Sequence, residues 1–247
     1  MLTHPTLDKL RQLKLYGMTK EFEKQSGCTD YDGMGFEERL GLIVDMEMTE
    51  KENRRLITRL RQARLRQQAC MENIDYHTPR KLDKALIKSL GTCKWLKDKL
   101  NVLVTGSTGT GKSFISCSLG HRACLNGYRT LYFRATNLFY DLSIAKGDGR
   151  YGKIMKSISK ADLLILDDWG LVKLSELEQL DLLEILEDRY GIHSTIISSQ
   201  VPHERWHELM ANPTLSDAIL DRFIHNAYKI KLDGHGESMR KRKSEPL

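Results

Sequence analysis

The sequence predicts an α/β core with a parallel five-stranded sheet, preceded by a small all-helical domain. Three observations predict it. Residues 1 to about 70 carry apolar residues at helical spacing. From Asn101 onward, short apolar strands alternate with helical stretches. A glycine-rich loop follows the first of those strands and opens a helix.

In the helical segment, Leu7, Leu10, Leu13 and Leu15 with Met18 and Phe22 form one helical stripe. Ser26 to Gly35 is rich in Gly and Asp and reads as a loop. A second helix begins near Phe36 and is expected to run towards Cys70. Leu40, Ile43, Val44 and Glu47 start it, and Leu56, Ile57, Leu60 and Leu65 continue its apolar face. A connector from Glu72 to Pro79 follows. The pattern divides the chain into a helical domain over 1–70, suited to binding DNA or a partner, and a second domain over 71–247.

In the second domain, Asn101 to Thr105 is the first strand, and Lys112 to Asn126 is a helix that stops at Gly127. Arg129 to Arg134 is the second strand. Two helical stretches follow, split near Gly147 to Gly149. Asp162 to Asp167 is the third strand. Ser175 to Tyr190 is a helix with a Ser175/Glu178 capping box, and Gly191 fits its stop. Ser194 to Ser198 is the fourth strand. A helix near Leu215 to His225 precedes a fifth strand, Ala227 to Leu232. Strands alternating with helices mean a parallel sheet covered on both faces. The basic stretch Arg240 to Lys243 reads as a frayed tail.

Hydrophobic residues make up 40% and charged residues 29%, a soluble globular profile. The formal net charge of +6 favours polyanionic partners without deciding the fold. Cys28, Cys70, Cys93, Cys117 and Cys124 form no C-x-x-C pair, which disfavours a zinc ribbon, and their odd, scattered set suits a reducing compartment. No apolar leader opens the chain, and no apolar run approaches the ~20 residues of a membrane span. The expectation is a cytoplasmic protein with no membrane partner.

Gly106, Ser107, Thr108, Gly109, Thr110, Gly111, Lys112 and Ser113 match G-x-x-x-x-G-K-[ST] in full, between a strand and a helix. Glycines let backbone N–H groups wrap phosphates without Cβ clashes, and the helix N-terminus adds a positive dipole end. Lys112 should reach the β- and γ-phosphates of ATP, and Ser113 should ligate Mg²⁺. The competing reading is a plain glycine-rich turn. The complete motif in this context outweighs it.

Leu163 to Asp168 is an apolar strand ending in two carboxylates. Asp167 is the expected Mg²⁺ ligand, directly or through water, and Asp168 the group that polarises attacking water. Adjacent carboxylates repel unless a cation lies near. An Asp-rich turn is the bland alternative. Trp169 is read as core packing. The fourth strand ends Ser198-Ser199-Gln200, where an amide could position water or sense the γ-phosphate. Gln200 is preferred and Ser199 is second, against both simply capping the turn before Pro202. Arg222 closes a helix. It could reach a neighbouring subunit's nucleotide or satisfy its own helix-end carbonyls. His203 and His207 lie four apart but make no zinc site by themselves.

Lys51, Arg54, Arg55, Arg59, Arg61, Arg64 and Arg66 crowd the second helix, with Glu52 read as the one opposing charge. A stripe of guanidinium groups suits the phosphates of double-stranded DNA; the alternative is a solvated or partner-facing surface. Lys146, Arg150, Lys153 and Lys156, with Lys160 beyond, form a second basic cluster. No interleaved aromatics favour single-strand stacking.

The strings NVLVTGSTGTGKS, ADLLILDDWG, TIISSQVP, LSDAILDRF and GESMR, in that order, resemble the AAA+ helicase-loader and initiator clade. More closely, they resemble the IstB-type transposition helper ATPases, and LDKLRQLKLYGMTKEF is similar to that family's opening. The resemblance covers nearly the whole chain. It implies an AAA+ core with strand order 5-1-4-3-2, Arg222 as an arginine finger and Gln200 near sensor I. It also implies ATP-dependent self-assembly on DNA, remodelling of that DNA, and recruitment and stimulation of a partner transposase. Two features depart from the pattern. The second acid is Asp168 where most AAA+ ATPases carry Glu. The chain after Arg222 is short for a full helical lid, leaving Arg240 as a sensor II substitute. The expected function is an ATP-hydrolysing, DNA-binding regulator of transposition. The rivals are a helicase loader and a nucleotide-gated scaffold with negligible hydrolysis; a small kinase is a weaker one.

Overall fold

A computed structural model describes residues 5–234; GESMR, Arg240 and the basic stretch 240–243 lie outside the described residues. The chain divides into two compact units, 1–58 and 59–247. Among the described residues, no helix is long and apolar enough to cross a membrane.

The first unit holds α1 (Pro5–Gln12), α2 (Tyr16–Gly27) and most of α3 (Phe36–Ala63). The single stripe expected from Leu7 to Phe22 is two helices. Lys14 takes φ 59°, and the Leu15 N–H reaches back to Leu10 C=O while the Lys14 N–H reaches Arg11 C=O. That is a Schellman stop with lysine where glycine usually sits, so no sequence signal marked it. Glu47 of α3 is buried and accepts from the Gly17 and Met18 N–H groups at 2.7 and 3.1 Å. Its carboxylate thus satisfies the N-terminal donors of α2 and complements that helix dipole. A Cβ at Gly17 would meet Met46 C=O at 2.5 Å, so the close crossing requires glycine.

Helix α3 ends seven residues short of Cys70. Arg64 takes φ 50° and turns the chain there, again without a glycine. The second unit continues through α4 (Lys84–Gly91) and α5 (Lys94–Lys97). These precede β1 (Asn101–Gly106), α6 (Lys112–Leu125), β2 (Thr130–Arg134), α7 (Ala135–Asp148) and α8 (Tyr151–Ser159). Then come β3 (Leu163–Trp169), α9 (Glu176–Arg189), β4 (Ser194–Ser199), α10 (Pro213–Ile224) and β5 (Ala227–Leu232). The Ser175/Glu178 capping box is present, and Gly191 has φ 66° after α9. The strands are parallel, in the order β2-β3-β4-β1-β5, which is the expected 5-1-4-3-2.

Strands β1, β3 and β4 are buried on both faces, as a covered parallel sheet requires. One face packs Val102, Val104, Ile115, Leu119, Ile165 and Ile196 with Ile87 and Trp95. The other packs Leu103, Leu138, Leu142, Leu164, Leu166 and Ile197 with α9 and α10. On this second face Phe139, Trp169, Trp206 and Phe223 form a chain of ring contacts. Successive centroids lie 6.4, 5.4 and 6.1 Å apart, from α7 through the end of β3 to α10. Trp169 is core, 1% exposed.

Candidate nucleotide site

The loop between β1 and α6 turns through Gly109 at φ 86° and Gly111 at φ 93°, conformations that side chains with a Cβ rarely adopt. Lys112 is buried and its ammonium donates to Ser107 C=O at 2.9 Å, so it lies folded over the loop. Thr108, Gly109, Gly111, Lys112 and Ser113 line one cavity together with Asp168 and Gln200. Strand order explains the meeting: β4 lies between β1 and β3, so all three strand ends open on one edge.

Thr108 Oγ1 donates to Gln200 Oε1 at 2.7 Å, tying the phosphate loop to the end of β4. The neighbouring Ser199 points away: its hydroxyl donates to Trp169 C=O and accepts from the Val201 N–H, both at 3.0 Å. Gln200 rather than Ser199 therefore faces the cavity.

The two acids occupy different environments. Asp167 is fully buried. Tyr132 donates to its Oδ2 at 2.7 Å, and the Ser198 hydroxyl engages its Oδ1. Burial, then the Asp167 charge, holds the Tyr132 phenol protonated well above its ordinary range. Between Leu166 and Trp169 the β3–β4 register gains one residue on β3, and Asp168 takes φ 58°. This bulge swings the Asp168 carboxylate into the cavity. The donors around the cavity, Ser113 and the acid pair, are all oxygens. That set suits a hard cation such as Mg²⁺, with Ser113 and Asp168 at the cavity wall and Asp167 behind them.

Two arginines hold Asp168. Arg134, at the end of β2, places Nε and Nη2 at 3.1 and 3.0 Å from Asp168 Oδ2. Arg66 places Nη1 at 3.1 Å from the same oxygen and 3.8 Å from Asp167 Oδ2. The sequence reading put Arg66 in a DNA-facing stripe. The helix ends at Ala63 and the chain turns at Arg64, so Arg66 lies beyond the helix, beside the acid pair. Arg134 was not singled out, although it pairs in register with Asp167 across β2 and β3. The connector also supplies site residues that sequence reasoning passed over. Arg80 is 3% exposed and donates to Thr110 C=O and Asp75 C=O, both at 2.7 Å, bracing the phosphate loop from below. Gln67, Asn73, Asp75 and Phe114 complete the cavity wall.

Arg222 lies away from this cavity. Its guanidinium pairs with Glu187 of α9 at 2.7 Å and donates to Ala218 C=O at 3.1 Å. His203 and His207 sit on a short 3-10 segment, beside Glu204 and Asp217 respectively.

The basic helix is not bare. In the first unit Lys51 pairs with Glu47, and Arg54 with Glu50 at 3.1 Å while stacking on Tyr16 at 4.1 Å. Arg55 lies 3.7 Å from Glu52. The opposing acids sit one turn earlier on the same helix, where i,i+3 and i,i+4 spacings bring them alongside. In the second unit Arg59 donates to Cys124 C=O at 2.9 Å, while Arg61 and Arg64 are exposed. In the second basic cluster Lys146 pairs with Asp181 and Arg150 with Asp148, whereas Lys153 and Lys156 are exposed.

A parallel sheet in this order, with a phosphate loop after β1, acids ending β3 and a polar β4 end between them, defines an AAA+ type P-loop ATP-binding protein. The family model described as IstB-like ATP binding protein matches residues 8–246, and the chain belongs to that family. It is 47% identical over 241 residues to the insertion sequence ATP-binding protein y4pL of Sinorhizobium fredii (strain NBRC 101917 / NGR234), covering 98% of each chain. It is 43% identical over 203 residues to the insertion sequence IS1162 ATP-binding protein of Pseudomonas fluorescens, covering 82% of this chain and 88% of that one. Among solved structures, the DnaI crystal structure aligns with TM-score 0.57 at 20% identity, over 67% of this chain and 91% of that one. The DnaC helicase loader aligns with TM-score 0.51 at 20% identity, over 60% and 87%. At that identity the likeness speaks to fold alone.

Proposed function

We propose that this protein is a Mg²⁺-dependent ATPase that binds double-stranded DNA, self-assembles on it, remodels it and recruits a partner transposase. One observation carries the ATPase reading: Lys112, Ser113, Asp168 and Gln200 converge on one cavity walled by the phosphate loop. Lys112 and the loop N–H groups would hold the phosphates. Ser113 and, through water, Asp167 would hold Mg²⁺, which neutralises phosphate charge. Asp168 would orient the attacking water, and Gln200 would position it from the end of β4. Arg222, which pairs with Glu187 in this chain, would act at a neighbouring subunit's nucleotide, as the family resemblance implies.

The DNA and transposition parts rest on the family's insertion-sequence relatives and on exposed cations. Those cations include Arg54 and Arg55 in the first unit, and Arg61, Arg64, Arg66, Lys146, Arg150, Lys153 and Lys156 in the second. A nucleotide-gated scaffold with slow hydrolysis is the second reading, favoured by the two arginines on Asp168. ATP turnover with and without duplex DNA decides between them. The ATPase reading expects DNA-stimulated turnover and pull-down of the transposase with ATP; a flat, near-zero rate in both conditions would favour the scaffold.

A further inference from the structure

Cations on α3 are matched by acids one turn earlier on the same helix, as in Glu47–Lys51 and Glu50–Arg54. A second basic segment lacks that matching. From Arg80 to Lys99 the chain carries seven cationic side chains and two acidic ones, Asp83 and Asp98. Asp83 is engaged as the N-cap of α4, accepting from the Ala85 and Leu86 N–H groups at 2.8 and 3.0 Å. Ile87 and Leu90 bury the inner face of α4, and Lys84, Ala85, Lys88 and Ser89 stay exposed. Lys84 has Arg80 and Lys88 four residues away; Lys88 has Lys84 and Thr92. Like charges at that spacing repel, so this helix is more stable beside an anion from outside. The Lys84 ammonium lies 5.3 Å from the Tyr76 ring centroid, a contact that leaves its charge in place.

Strand β5 brings further cations to the same place. It is an edge strand, with Ile230 and Leu232 buried and Lys229 and Lys231 exposed in alternation with them. Lys81, Lys229 and Lys231 line one cleft of about 340 Å³ together with Asp83 and Asp233. Asp233 pairs with Lys81, and the Lys229 ammonium lies 3.1 Å from His203 Nε2. We propose that α4 and β5 form a track for the phosphates of double-stranded DNA, with Lys84, Lys88, Lys229 and Lys231 as its contacts. The inference rests on the DNA-binding reading above and gives it a surface that the α3 stripe does not include. Spacing suits a regular polyanion. Four residues of helix rise about 6 Å and two of strand about 6.6 Å, each close to two steps of about 3.4 Å along one DNA strand. The exposed face of α4 offers lysines and small residues, which grip phosphates without reading bases. Lysines on an edge strand also discourage pairing with other strands, but that role asks nothing of α4.

The test uses the full chain with ATP and a duplex of mixed sequence. It compares wild type with three double variants: Lys84→Ala/Lys88→Ala, Lys229→Ala/Lys231→Ala and Lys84→Arg/Lys88→Arg. Duplex affinity is read across a salt series, ATP affinity by calorimetry, and folding by the denaturant midpoint. Each alanine pair should lower the slope of log K against log salt by about two, one for each lost phosphate contact. ATP affinity and the unfolding midpoint should stay at wild-type values. The arginine pair keeps the charge and should keep the wild-type slope, which separates charge from packing. Duplex should also shield the four lysines from an amine-acetylating reagent. Wild-type slopes in both alanine pairs would overturn the track. Loss of binding to polyglutamate with duplex slopes unchanged would assign the face to an acidic protein instead, and overturn it as well. If wild type binds no duplex, the DNA reading fails and takes the track with it. If wild type binds and only Arg61→Ala/Arg64→Ala changes the slope, the track alone fails.

Discussion

At the edge of the sheet where β4 starts, Arg189 is 1% exposed and gives its donors to neutral acceptors. These are Ile158 C=O, Ala161 C=O, Ser194 C=O and the Thr195 hydroxyl, at 2.5 to 3.1 Å. At the opposite edge, where β2 and β3 end, Arg134 and Arg66 keep 40% and 35% of their side chains exposed and converge on one carboxylate. The same side chain serves two ends. A buried guanidinium saturated by backbone carbonyls fixes where α8, α9 and β4 meet, and moving it would strand several polar groups. A half-exposed guanidinium on an acid has water and phosphate as ready alternatives, so its pairing can change. Arg189 therefore belongs to the architecture, and Arg66 and Arg134 to the strand-end site.

The largest effect is expected at Arg189. Arg189→Ala leaves buried acceptors unpaired and is expected to lower stability by at least about 3 kcal/mol. The denaturant midpoint measures this, while the folded fraction keeps its ATP affinity. A stability loss for Arg66→Ala as large as that for Arg189→Ala would erase the distinction. At the functional edge, Lys112→Ala removes the phosphate loop's side-chain cation and is expected to weaken ATP binding at least tenfold by calorimetry, about 1.4 kcal/mol or more. Its unfolding midpoint should shift far less than that of Arg189→Ala.

Arg222 sharpens the comparison, because its Glu187 pair is also part-exposed. Arg222→Ala should keep monomer ATP affinity but lose turnover and ATP-dependent assembly on DNA. Mixing it with Asp168→Asn subunits should recover activity that neither variant has alone. If mixing restores nothing, Arg222 belongs with Arg189 as a helix-end staple.

The smallest effect concerns thiols. Burial pushes Cys117 from its ordinary 9 up to about 11, and it also raises Cys93 and Cys124. Because the folded values lie above the unfolded ones, the neutral thiols favour the folded state below pH 9, and that contribution fades as pH climbs towards 11. At pH 8 a thiol reagent should label the part-exposed Cys28 and Cys70 quickly and the three buried cysteines only on unfolding. Fast labelling of Cys117 in the native protein would contradict the packed core around α6.

The α/β core was legible because strands buried on both faces are short continuous apolar runs, as in NVLVT and LLILDD. The glycine-rich loop between strand and helix located the phosphate site by the same local logic. The N-terminal helix ends were not legible, since Lys14 and Arg64 take left-handed turns that sequence normally announces with glycine. Because of the second turn, Arg66 lies beside the acid pair and not on the helix. Arg80 and Arg134 depend on tertiary neighbours. Arg134 meets Asp168 only because β2 lies beside β3, and Arg80 reaches the phosphate loop from a connector with no motif of its own.

Whether the strand-end cavity hydrolyses ATP through Asp168 is read from single-turnover hydrolysis by Asp168→Asn beside calorimetry of its ATP binding. Asparagine fills the same space but lacks the carboxylate that orients water. ATP affinity is expected within about twofold of wild type, with hydrolysis slowed by about a hundredfold. Hydrolysis at the wild-type rate with ATP fully bound would place the water-orienting group elsewhere than Asp168.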